Sequence, residues 1–131
     1  MGVAEFKDLA LDATDHQALA DWWCRVLGYT RRQAPAGGEE SRPEYPVPIH
    51  DPRGRGPVIW INPASEAKSA QNRMHLDVWG RTEDLLELGA TMVRRGDAEH
   101  CWDVMADPEG NEFHVFAPDR PSRPVIRLRP R

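Results

Sequence analysis

The sequence has no apolar run near the roughly 18 residues that a bilayer-spanning helix needs, and its first residues lack a signal-peptide pattern. Cysteine is scarce. Cys24 and Cys101 stand far apart, fall in an expected helix and an expected strand, and have no CxxC partner, so two thiols make no disulfide framework. A reducing cytoplasm is therefore the expected compartment. Positive charge is not in excess either. A net charge of −4 and a pI near 5.7 give no electrostatic reason for nucleic acid or an anionic membrane as partner. No Ser/His/Asp arrangement and no phosphate-cradling glycine loop is present, Gly54-Arg55-Gly56 being too short to count as one.

What is present suits an ordinary globular domain. Apolar residues make up 40% and charged residues 29% of 131 positions, enough for one domain with a proper core. Five tryptophans are many for this length, and they serve either as core or as the wall of a pocket for a planar ligand.

One stretch organises the chain. Residues Asn72 to Trp79 alternate as a strand, with Met74, Leu76 and Val78 on one face and Arg73, His75, Asp77 and Trp79 on the other. A guanidinium, an imidazole and a carboxylate on consecutive same-face positions are an unusual set to aim at plain solvent.

The elements around it follow from pattern and punctuation. Residues 5–13 alternate as a strand, with Leu9 and Leu11 opposite Phe6, Asp8, Ala10 and Asp12. Thr14 or Asp15 caps a helix whose apolar stripe is Leu19, Trp22, Trp23, Val26 and Leu27, and Gly28 stops it. A strand is expected over Thr30–Gln33, then a loop over 34–44. The segment from Tyr45 to His50 returns to the sheet, with Pro46 and Pro48 confining it to an edge or an irregular stretch. Asp51-Pro52-Arg53-Gly54 turns the chain into a strand at Val58–Ile61. The second half repeats this order: the strand at 72–79, a helix capped by Thr82 and ended by Gly89, strands at Thr91–Arg95 and Cys101–Met105, a turn at Asp107-Pro108-Glu109-Gly110, and a strand at Glu112–Phe116. Leu27-Gly28-Tyr29-Thr30 answers Leu88-Gly89-Ala90-Thr91, and the two Asp-Pro-x-Gly turns answer each other. Two βαβββ units in tandem is the economical reading. The boundaries are about 5–64 for module one and about 73–118 for module two. The Arg/Pro-rich tail, 119–131, is expected to be exposed rather than a binding arm.

Paired βαβββ units resemble the vicinal oxygen chelate superfamily of glyoxalases, bleomycin-resistance proteins and extradiol dioxygenases, and most of all its glyoxalase-like domain proteins. Trp22-Trp23, Leu27-Gly28-Tyr29, Lys68 through Asp77, Leu88 to Thr91, and Trp102 with Ala106 to Phe113 carry the likeness, across residues 5–118. The resemblance implies an α+β fold: two tandem βαβββ modules forming a curled mixed sheet around a central cavity, helices on the convex side. It also implies one metal ligand from the first and the last strand of each module. Those four positions are Asp8, Trp60, His75 and His114, and strand parity independently sets each opposite aliphatic neighbours.

Asp8, His75 and His114 are the expected ligands of a divalent ion (Fe, Zn, Mn or Ni), since two imidazoles and a carboxylate suffice for one with open positions. Trp60 cannot ligate, and the glutamate usual at the terminal-strand positions is missing, which argues against hemithioacetal isomerisation. His75 and Asp77 are the catalytic candidates. Trp60, Trp79, Arg73 and Glu112 are the ligand-binding candidates. Asp8 and Arg73 also offer a plain cross-strand ion pair. His16, His50 and His100 are expected to be exposed, with His50 within reach of the rim. The functional expectation is a small-molecule enzyme of lyase, isomerase or dioxygenase type acting on an organic metabolite. The alternative is a metal-free protein that sequesters an aromatic metabolite or antibiotic against Trp60 and Trp79. Either works as a homodimer, by the resemblance.

Overall fold

The computed structural model describes residues 2–3, 5–32 and 42–118. These form two compact units, Met1–Ser69 and Ala70–Arg131. Unit one holds β1 (Leu9–Ala13), α1 (His16–Leu27), β2 (Thr30–Arg31), β3 (Val47–His50) and β4 (Ile59–Pro63). Unit two holds β5 (Leu76–Trp79), α2 (Thr82–Glu87), β6 (Thr91–Arg94), β7 (Asp103–Ala106) and β8 (Glu112–Phe116). The chain is therefore α+β with two tandem βαβββ modules, as the repeat implies. Each builds a four-stranded mixed sheet, in the orders β1-β4-β3-β2 and β5-β8-β7-β6, with the first and last strands of each unit parallel and the other pairs antiparallel.

In unit one, α1 begins where Asp15 accepts a hydrogen bond from the Ala18 amide, which settles the cap on Asp15 rather than Thr14. It ends at Gly28, whose φ of 73° is left-handed and whose N–H returns to the Cys24 carbonyl. The helix lies across β3 and β4 and buries Leu19, Ala20, Trp22 and Trp23 against Ile49, Ile59 and Ile61. Trp22 and Trp23 meet edge to face, with centroids 5.0 Å apart. Each of the fully buried leucine and isoleucine side chains contributes roughly 1.5–3 kcal/mol. In unit two, Val78, Leu85, Met105, Phe113 and Val115 are the corresponding buried residues.

The two Asp-Pro-x-Gly turns are built alike. Asp51 and Asp107 each accept from the amide two residues on, and their carbonyls accept from Gly54 and Gly110, both at positive φ.

Several expectations differ from the structure for physical reasons. The strand over 72–79 starts only at Leu76, which leaves Met74 outside it and 78% exposed rather than packed. Thr82 is the first helical residue, not the cap, because its hydroxyl donates to Asp103 Oδ2 at 2.6 Å. His16 is buried, its Nε2–H donating to the Tyr45 carbonyl, since residues 42–46 fold back over the start of α1. Pro48 sits in β3, an inner strand. Its carbonyl accepts from Arg32 on the β2 side, so its missing N–H also faces β2, where the ladder ends at Arg31, and the β4 side is left undisturbed. β7 runs Asp103–Ala106, two residues later than expected at its start. Gln33, most of the 34–44 loop and the 119–131 tail lie outside the described residues.

Candidate functional site

The register tests the equivalence of the four inward positions. Leu9 pairs with Ile59 in unit one, and Leu76 with Phe113 in unit two. Asp8 and Trp60 therefore stand in their unit where His75 and His114 stand in theirs, one residue before and one after the paired aliphatics. The two pairs are chemically unlike. In unit one the Trp60 indole N–H donates to Asp8 Oδ2 at 2.8 Å, and the Lys7 ammonium lies 2.8 Å from the same oxygen. Lys7, then Trp60, hold the Asp8 carboxyl below the usual carboxylate value, burial opposing them.

In unit two the pair is open and ligand-capable. The His75 and His114 rings stack with centroids 3.8 Å apart and planes 21° from parallel. Asp77 is two residues beyond His75 in sequence and is the register partner of His114. Its Oδ1 lies 2.9 Å from His75 Nδ1 and 3.8 Å from His114 Nδ1. One donor atom from each of the three side chains lies within 4.8 Å of the others. Burial pushes the His114 imidazole below the usual histidine value, the His75 charge adds to this, and Asp77 opposes. The shift favours the neutral ring, the form that binds a metal.

A row of register partners crosses this sheet: Asp77 on β5, His114 on β8, Val104 on β7 and Arg94 on β6. Directly opposed residues share a face, so Arg94 lies on the histidine side, put there by a bulge between Met92 and Arg94. A second row is aromatic. Trp79 meets Phe116 edge to face at 5.9 Å, and Trp102 stacks on Phe116 at 5.6 Å and on His114 at 5.7 Å. The Trp102 indole nitrogen is buried and has no hydrogen-bond partner among the described residues. Of the remaining candidates, Glu112 Oε1 accepts from the Asn72 amide at 2.9 Å, tying the approach to β5 onto β8. Arg73 is exposed in that approach.

Sequence reasoning did not single out Trp102 or Arg94 for the site. Trp102 precedes β7 by one residue and shares the parity of Val104, but only the β7–β8 register shows that this parity faces His114. Arg94 needed the bulge, which leaves no sequence mark.

The glyoxalase-like domain family matches residues 8–116, both modules and all the residues of the two pairs. The chain belongs to that family. No curated protein sequence matches it. Solved structures with the same fold come from the glyoxalase/bleomycin resistance/dioxygenase superfamily. The fosfomycin resistance protein FosX from Mesorhizobium loti is 11% identical, with a TM-score of 0.63 over 89% of this chain and 94% of its own. A mutant FosX from Listeria monocytogenes, solved with Mn(II) and 1S,2S-dihydroxypropylphosphonic acid, is 11% identical at a TM-score of 0.62, over 88% of this chain and 93% of its own. A glyoxalase/bleomycin resistance protein/dioxygenase family enzyme from Burkholderia phytofirmans is 16% identical at 0.58, over 86% and 97%. At such identities the likeness is one of fold. Among the described residues of this glyoxalase-like chain, no helix is long and apolar enough to cross a membrane.

Proposed function

We propose that the protein is a metal-dependent enzyme of the vicinal oxygen chelate type, a lyase, isomerase or dioxygenase acting on a small oxygen-bearing organic molecule. The observation that carries this is the convergence of His75, Asp77 and His114 on the polar face of one sheet. Two imidazoles and a carboxylate are a fitting donor set for Fe, Zn, Mn or Ni. A divalent ion held by His75 and His114 would supply Lewis-acid polarisation of the substrate's oxygens. In the absence of an ion Asp77 accepts from His75 Nδ1–H, and it is the carboxylate closest to hand for holding a proton. Trp79, Phe116 and Trp102 offer a wall for the substrate's apolar body. Arg94 adds a positive charge on the same face, and Glu112 and Arg73 frame the approach to β5. The relative solved with Mn(II) supports a metal in this fold. Elemental analysis tests the reading. Protein purified without chelator, loaded with each ion in turn and desalted, is expected to keep one ion per chain, and none retained for any ion would end it.

The aromatic row favours a second reading, a metal-free protein that sequesters a planar aromatic molecule. Trp60 enters this reading less readily, since its N–H is committed to Asp8. A panel of planar phenols and aromatic acids is then expected to quench tryptophan emission in metal-free protein, and Trp79→Ala to abolish the quench. Unchanged emission across the panel would remove this reading. A homodimer belongs to the proposal through the family resemblance, and a cytoplasmic location through the two free cysteines. A monomer mass by light scattering at micromolar concentration would count against the former.

A further inference from the structure

The family resemblance points to Asp8 as the oxygen ligand that joins His75 and His114. We infer instead that the third ligand is Asp77, so that unit two holds the ion with its own three side chains. This rests on the metal reading above.

Placement comes first. His75, just before β5, and Asp77, within it, are two positions apart with Leu76 between them, so their side chains leave on one side, and the parallel register sets Asp77 beside His114. The two Asp77 distances agree. Ligands each about 2.0–2.2 Å from one ion lie roughly 3–4 Å from one another. Asp77 Oδ1 is already 2.9 Å from one imidazole nitrogen and 3.8 Å from the other. A cation would replace the proton now shared between Asp77 and His75 Nδ1, and His75 would ligate as its Nε2–H tautomer.

Asp8, by contrast, has a settled set of partners. One of its oxygens accepts the Trp60 N–H and meets the Lys7 ammonium. Recruiting it would break a tryptophan hydrogen bond and an ion pair. Its counterpart across the strand pair is an indole, which offers no ligand, whereas both counterparts in unit two are imidazoles. At these positions the imidazoles are therefore in the second module, and the first holds an internally bonded pair in the equivalent places.

Cobalt(II) spectroscopy on cysteine variants tests this directly, because a thiolate bound to cobalt gives a sulfur-to-metal charge-transfer band in the near ultraviolet. Wild-type protein, which carries Cys24 and Cys101, is the baseline. Asp77→Cys is expected to bind Co(II) and gain the band, and Asp8→Cys to keep the wild-type spectrum. By calorimetry, Asp77→Asn should lose more than about 100-fold in Co(II) affinity, beyond the 10–100-fold typical of a residue that only orients a ligand, and Asp8→Asn should stay within about 3-fold of wild type on the same scale. A band in Asp8→Cys overturns the inference. So does an Asp77→Cys protein that binds Co(II) without the band, which would make Asp77 an orienting partner of His75. If the wild type itself binds no Co(II), the metal reading fails and takes the inference with it. Far-ultraviolet circular dichroism establishes that each variant is folded.

Discussion

His75 and His114 lie face to face, 3.8 Å between ring centroids, with one oxygen of Asp77 within 3.8 Å of an Nδ1 on each. Two imidazolium ions this close would repel, and the His75 charge is one of the causes that hold the His114 imidazole below its usual value. The two rings and the carboxylate lie outside the buried core.

Replacing either ring should therefore separate binding from stability. His75→Ala and His114→Ala are each expected to lower divalent-ion affinity by more than about 100-fold, beyond the loss of an outer partner alone. Stability should fall by no more than about 1 kcal/mol, in the range of changes away from the core. Calorimetric titration and urea unfolding check the two halves. Equal metal affinity in all three proteins would contradict the assignment.

The Trp60–Asp8 bond makes a pH prediction. Lys7 and Trp60 hold the Asp8 carboxyl below its ordinary value of 3.8. A carboxylate depressed in the folded state adds stability above its unfolded value, and that stability is lost as pH falls through the folded one. Trp60→Phe removes the indole donor, so the Asp8 pKa should rise toward 3.8 and less stability should be lost between pH 4 and the folded-state value. Carbon-detected NMR titration of the Asp8 carboxyl reads the shift directly. An unchanged titration would mean that the bond is absent in solution.

Among the described residues the Trp102 side chain carries stacking but no hydrogen bond. Its indole N–H has no partner among the described residues, while its ring packs on both His114 and Phe116. Trp102→Phe keeps an aromatic face and forfeits no bond, so it should change stability by less than about 1 kcal/mol. Trp102→Ala leaves His114 without its stacking partner and should cost roughly 1–3 kcal/mol. Urea unfolding distinguishes them, and a larger loss in the Phe variant would reveal a partner for the N–H.

Asp107 is the buried pivot of the second Asp-Pro-x-Gly turn. It accepts from the Glu109 and Asn111 amides and from the Asn111 side chain. Asp107→Ala strands these buried donors and should destabilise the protein by about 1–3 kcal/mol. Asp107→Asn keeps an acceptor and should cost less, as thermal unfolding would show.

The repeat made the architecture legible. Glycines at helix ends, twin Asp-Pro-x-Gly turns and alternating aliphatics are local signals, and the register that equates Asp8 and Trp60 with His75 and His114 follows from them. What escaped depends on long-range partners. His16 is buried because residues 42–46 cover it, and Thr82 gives its hydroxyl to Asp103, twenty-one positions away. The closeness of Asp77 to His114 needs the parallel β5–β8 register, and the reach of Arg94 needs a bulge. Neither leaves a pattern within one strand.

Anomalous diffraction from a crystal soaked in Mn(II) or Co(II) tests the central claim most directly. The account predicts one strong peak about 2.0–2.3 Å from a nitrogen of His75, a nitrogen of His114 and an oxygen of Asp77. No peak on this face of unit two, or a peak ligated by other residues, would contradict it.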